Sequence, residues 1–232
     1  IIYKQYHSQI ANIYHPLHTK AAISQLDPIQ WKGGENFALY KGQGTTTKCD
    51  NSRAILISDR SGKVQHKHYR QLLSDNYNSH SLPTQFGGYA KRSLAHATHI
   101  VRLTLHHAKM HKLSVVYLFL DHLQAFYSVF RELIFERELT DERIISLLQR
   151  INAPHSSFQL LQQLLSTHQS TLDKHHVPFS LQKALQAAHT NTWFSVKGIQ
   201  TVTHTTRGTR PGDTLADITY NFLATIIYQH IE

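Results

Sequence analysis

Between residues 114 and 131 the chain reads SVVYLFLDHLQAFYSVFR. Its first part, 115–120, is an unbroken apolar run rich in Val and aromatic side chains, the pattern of a short strand buried on both faces. The run stops at a single carboxylate, Asp121, and a tight return of apolar and small residues follows over 125–129. A lone Asp at the end of such a strand has two readings. It is a terminus reaching solvent, where Asp is common, or a metal carboxylate at the tip of a central strand.

Around this stretch the periodicity predicts a helix-rich chain with two hairpins. Residues 5–26 place Ile10, Ile13, Leu17 and Ala21 at helical spacing, interrupted by Pro16, and predict one or two short helices. Strands are predicted over 37–41 and 54–58, flanking a polar, Gly- and Thr-rich loop. A basic amphipathic helix is predicted after Asp59 to about Asn76, and a longer one over 93–112 with Leu94, Ala97, Val101, Leu105 and Ala108 on one face. Packing helices, divided by Pro154 and Pro178, fill 135–190. Short β runs over 193–196 and 200–205, joined through Lys197-Gly198, form a second hairpin. A buried helix is predicted from Asp213 to the end, with Asp213 capping its free amides.

Composition narrows the function classes. The 232 residues can build one large domain or two compact subdomains, and without an initiator Met they are read as a segment of a longer protein. A single cysteine, Cys49, excludes an internal disulfide, and no apolar run approaches the ~18 residues of a membrane span. Lys and Arg outnumber Asp and Glu by 24 to 15, the footprint of a protein that follows phosphate backbones. The 19 histidines include pairs at metal-like spacing (His96/His99, His107/His111, His175/His176), but no Cys or carboxylate completes them, so they read as surface histidines.

Five stretches carry a family resemblance. The apolar run ending in Leu120-Asp121, followed by Gln124-Ala125-Phe126-Tyr127-Ser128-Val129, resembles the first catalytic motif of reverse transcriptases of the non-LTR retrotransposon type. LYKGQGTTTKCDNSRAILIS resembles the fingers hairpin, whose Lys and Arg, here Lys41 and Arg53, contact the triphosphate of the incoming nucleotide. Ser61-Gly62-Lys63 with Arg70, and Gln85-x-Gly87 followed by Lys91 and Arg92, look like template-contacting segments. Most specific is Arg207-Gly208-Thr209-Arg210-Pro211-Gly212-Asp213-Thr214-Leu215-Ala216-Asp217, which resembles the loop and helix beneath the base and sugar. The common family form has Gln where this chain has Pro211.

The resemblance implies an α+β fold: right-hand polymerase fingers and a partial palm, helix-rich, with a fingers β-hairpin and a small antiparallel palm sheet. The divisions would be a helical lead-in (1–30), a fingers-like part (31–112) and a partial palm (113–232). It implies an RNA-directed DNA polymerase with an RNA template, a DNA primer and a dNTP as partners, no membrane, and an intracellular, nuclear place of action. Two Mg²⁺ ions, or Mn²⁺, would serve nucleotidyl transfer. Asp121 would bind metal with the backbone carbonyl of His122. Lys41, Arg53, Ala125, Phe126, Pro211 and Gly212 would line the nucleotide, with Phe126 excluding a 2′-hydroxyl. Lys63, Gln85, Gly87, Lys91 and Arg92 would meet the template.

One carboxylate cannot hold two Mg²⁺ ions about 4 Å apart. The family supplies two more Asp in a Tyr-x-Asp-Asp hairpin that this sequence does not contain, so these 232 residues alone are expected not to polymerise. Tyr127 also stands where the non-LTR enzymes commonly carry Asp. A non-catalytic or decayed nucleic-acid-binding palm, and a basic helical scaffold without a nucleic-acid partner, are the competing classes.

Overall fold

The computed structural model describes residues 2–87, 92–119, 122 and 124–229. In chain order the elements are α1 (Ile2–Gln5), α2 (His7–Ser24), β1 (Gly33–Tyr40), β2 (Ser52–Ser58), α3 (Arg60–His80), α4 (Leu94–Met110), α5 (Ala125–Ser128) and α6 (Arg131–Phe135). Then come α7 (Asp141–Arg150), α8 (Phe158–Ser166), α9 (Thr171–Lys174), α10 (Phe179–His189), β3 (Thr192–Val196), β4 (Val202–Thr205) and α11 (Ala216–Gln229). The architecture is mixed α/β, compatible with the expected α+β class. Among the described residues no helix is long and apolar enough to cross a membrane.

The strands form one mixed sheet in the order β2-β1-β3-β4. β1 runs antiparallel to β2 and parallel to β3, and β3 pairs antiparallel with β4. The second hairpin therefore does not make a separate antiparallel palm sheet; it continues the first hairpin. The seam is tight. A Cβ on Gly33 would lie 2.2 Å from the Trp193 ring, so only glycine lets β1 come this close to β3. Alternation along β2 sets the sheet's orientation: Leu56 is buried, whereas Ile55 and Ile57 on either side of it are exposed.

Helix starts follow their sequence signals. Asp59 caps α3 by accepting from the Gly62 amide at 3.1 Å, and Thr140 and Ser170 cap α7 and α9. Within the lead-in, the four-residue α1 is followed by an 18-residue α2 that passes through Pro16 without a break. Side chains of α3, α6, α9, α10 and α11 make the apolar core, with the Tyr77 and Phe222 rings packed edge-on at 5.1 Å.

Two expectations from periodicity fail. The strand predicted over 115–120 does not form over 115–119, which carries no regular structure and leaves Val116, Leu118 and Phe119 exposed at 93%, 77% and 87%. A buried strand needs neighbours to take its backbone hydrogen bonds and layers to cover both faces. Among the described residues no strand runs beside this segment; the Tyr117 hydroxyl donates to the Val101 carbonyl at 3.2 Å. The apolar stripe of α4 is likewise uncovered: Ala108 is buried, but Leu94, Val101 and Leu105 are exposed.

Inside the fold lies a polar core that periodicity does not reveal. His66 on α3 is 1% exposed and bonds Asp27 through Nε2 and Asp213 through Nδ1, both at 2.9 Å. Two carboxylate acceptors require both ring nitrogens to be donors, so the ring is an imidazolium. Burial alone would lower the His66 pKa, but the hydrogen bonds and charges of Asp213 and Asp27 outweigh it and raise the pKa to about 9. Arg210 donates to Asp213 at 3.0 Å and to the carbonyls of Ala188 and Trp31 at 2.8 Å each. Arg131 is the second knot, joining α6 to the loop after β4. Its guanidinium donates to the carbonyls of Gly208, His189, Thr205 and Arg207 and to the hydroxyls of Thr192 and Thr205.

Two outcomes follow from these knots. His66 has a folded-state pKa above its unfolded value, so its stabilisation is complete below about pH 6.5 and disappears as pH rises through about 9. Urea unfolding across that window should show a loss of about 3 kcal/mol, absent in His66→Gln. Arg131→Lys keeps the charge but not the fork, and should lower unfolding free energy by about 2–4 kcal/mol at neutral pH.

Candidate active site

Three segments distant in sequence converge beside β2. The first is β2 itself, from Arg53 to Leu56. The second is the turn at α5, held by the Tyr127 hydroxyl donating to the Ala54 carbonyl at 2.5 Å. The third is the 207–213 loop, whose Gly208 and Thr209 amides donate to the Val129 and Phe126 carbonyls at 2.8 and 2.7 Å. The Pro211 carbonyl accepts the Leu56 amide at 3.2 Å, which ties the loop to the strand. Gly212 has φ +111°, and a Cβ there would stand 2.2 Å from the Leu56 carbonyl oxygen. Glycine is thus required twice over, by backbone conformation and by proximity.

Within this convergence Phe126 packs on Tyr220 of α11, ring centroids 5.1 Å apart. The Tyr220 hydroxyl also pairs with Nδ1 of His122 at 2.7 Å. Burial raises the Tyr220 and Tyr127 pKa values, so both phenols stay protonated at neutral pH. Tyr220 thereby holds the aromatic expected to gate the sugar and the residue that follows Asp121. Asp121 itself, Leu120 and Lys91 lie outside the described residues.

The basic residues expected at the nucleotide are on the hairpin, Arg53 on β2 opposite Leu39 and Lys41 just past β1. The Lys41 ammonium donates to the Asp50 carbonyl at 2.7 Å, which folds the side chain along the hairpin loop. Ala125 is half-buried at the start of α5.

Several residues expected at the template are engaged inside the protein. Gln85 Oε1 accepts from the Leu82 amide and the Thr225 hydroxyl, both at 3.0 Å, and Arg92 donates to the Leu82 and Gln85 carbonyls at 3.1 and 2.6 Å. The Gly87 carbonyl accepts from Asn221 at 3.1 Å, and a Cβ on Gly87 would meet nothing within 4 Å. The Gln85–Gly87 turn is thus fastened to α11, and no close approach demands its glycine. Lys63 is half-buried in the first turn of α3, and Arg70 forms an ion pair with Asp217.

Asp213 does more than cap. It accepts the Leu215 amide at 3.0 Å, as a cap would, but it also neutralises His66 and Arg210, while α11 begins only at Ala216. Burial would raise its pKa, yet His66 and Arg210 hold its carboxyl well below the usual range. Periodicity missed His66, Asp27, Arg131 and Tyr220. The signal available for Asp213 was an acid set among arginines in a buried motif; its histidine partner lies 147 positions away.

Gly212→Ala should disturb the loop-to-β2 contact directly. A destabilisation of about 2–4 kcal/mol is expected, combining positive-φ strain with the clash at Leu56, and thermal unfolding of the variant measures it.

Among known proteins, no family model and no curated protein matches the chain.

Proposed function

We propose that the chain carries fingers and palm elements of an RNA-directed DNA polymerase of the non-LTR retrotransposon type. Its role is to seat a template–primer duplex and an incoming dNTP. One observation carries this reading: the strand that carries Arg53, the Phe126 turn and the Gly212 loop, three stretches far apart in sequence, meet at one place through the Ala54–Tyr127, Leu56–Pro211 and Phe126–Thr209 contacts. The excess of basic residues supports a phosphate-rich partner.

In the proposed cleft Arg53 supplies a charged fork for the phosphates and Phe126, backed by Tyr220, supplies a wall against a 2′-hydroxyl. Divalent metal is a different matter. Among the described residues no three His, Cys, Asp or Glu side chains are arranged to hold an ion, and Asp213 is committed to two cations and an amide. Asp121, the carboxylate that the resemblance assigns to metal, lies outside the described residues, and no chemical step is assigned to an ion here.

A non-catalytic nucleic-acid-binding palm is the second reading. Tyr127 favours it: where an acid is common in the family, this side chain serves the fold by bonding Ala54.

Filter binding of an RNA–DNA hybrid at two salt concentrations tests the proposal. Affinity should fall steeply with salt, because phosphate contacts release counterions. Arg53→Ala should weaken crosslinking of a photoreactive dNTP by roughly 10–100-fold, the worth of one or two charged hydrogen bonds. A flat salt response would remove nucleic acid as the partner. Primer extension by the 232 residues alone is expected to be nil.

A further inference from the structure

A cavity of about 80 Å³ lies between the covered face of the sheet and the 207–211 loop. Its walls include three arginines, Arg131, Arg207 and Arg210, and no Asp or Glu. Two buried polar atoms of its lining residues, Nε of Arg210 and Oδ1 of Asn36, have no hydrogen-bond partner among the described residues. Buried polar groups in folded proteins are nearly always paired, so two orphans at one cavity call for an occupant.

Charge indicates what kind. In the polar core that includes Arg131 and Arg210, the buried cations Lys32, Arg131, Arg210 and the His66 imidazolium face the buried carboxylates Asp27, Glu132 and Asp213, four against three, which leaves one positive charge over. Arg131, 8% exposed, touches only carbonyls and hydroxyls, and the adjacent acid, Glu132, is paired with Arg150 at 2.5 Å. An uncompensated charge in a low-dielectric interior is costly, and a counter-ion relieves it.

We propose that this cavity is a binding site for a small monovalent inorganic anion of the chloride type, held by Arg210 Nε–H and the surplus guanidinium charge beneath the sheet. A single water needs only about 10–15 Å³ of such volume, so the space takes a halide with part of its hydration shell. The Asn36 amide can present its nitrogen to the ion, since its oxygen and nitrogen are interchangeable by a flip. Arg207, exposed at the rim, leaves a route for exchange with solvent. A halide here is independent of whether the cleft on β2 handles nucleotides.

Thermal unfolding at constant ionic strength, with gluconate replaced stepwise by chloride or bromide, tests the site. The melting temperature should rise by about 3–5 °C for each tenfold increase of halide above its dissociation constant. Asn36→Asp supplies a carboxylate inside the cavity, so the variant should lose the halide dependence while keeping the fold. Anomalous scattering from bromide-soaked crystals should place an ion beside Arg210. A melting temperature indifferent to halide in the unmodified chain, or bromide found elsewhere with the cavity filled by water alone, would overturn the assignment.

Discussion

The His66 imidazolium between Asp27 and Asp213 is the interaction on which the rest of this structure depends. It joins three parts of the chain, the segment after α2, the middle of α3 and the loop before α11, across separations of 39 and 147 positions. Removing any partner leaves a buried charge uncompensated, which costs far more than one hydrogen bond. Arg210 extends the knot to the end of α10 and to the Trp31 carbonyl. The glycine loop is therefore held against β2 from below by ions and from the side by the Leu56–Pro211 contact.

Arg131 performs the matching task from the other side. Its planar fork bonds backbone carbonyls at Gly208, His189, Thr205 and Arg207, so one side chain fixes the start of the loop, the end of α10 and the last strand. Burial and the charges of Arg131 and Arg210 push the pKa of nearby His189 down to about 3, so that ring stays neutral while His66 stays charged. Two histidines of the same core thus take opposite protonation states because one faces carboxylates and the other faces guanidinium groups.

Helix α11 links the proposed subsites. Along its length Tyr220 supports Phe126 and His122, Asn221 holds the Gly87 carbonyl, and Thr225 holds Gln85. Residues that resemble a template grip and a sugar gate are set by adjacent turns of one buried helix, so a displacement of that helix moves both. The exposed apolar surface of α4 and of 113–119 stands apart from this arrangement.

Sequence alone determined the elements whose signals are local. Both hairpins, the helix after Asp59, the packing helices of 141–189 and the apolar final helix follow from spacing, turn chemistry and side-chain type, which act over a few residues. The glycine of the 207–217 motif was legible for the same reason, although its purpose, clearance for the Leu56 carbonyl, was not. Tertiary structure alone decided that the two hairpins share one sheet, that 115–119 is not a strand, and that Asp213 answers to His66. Strand pairing, burial and ion pairing depend on which distant segments meet. An apolar run or a lone carboxylate carries no record of its partner, and only the folded chain supplies one.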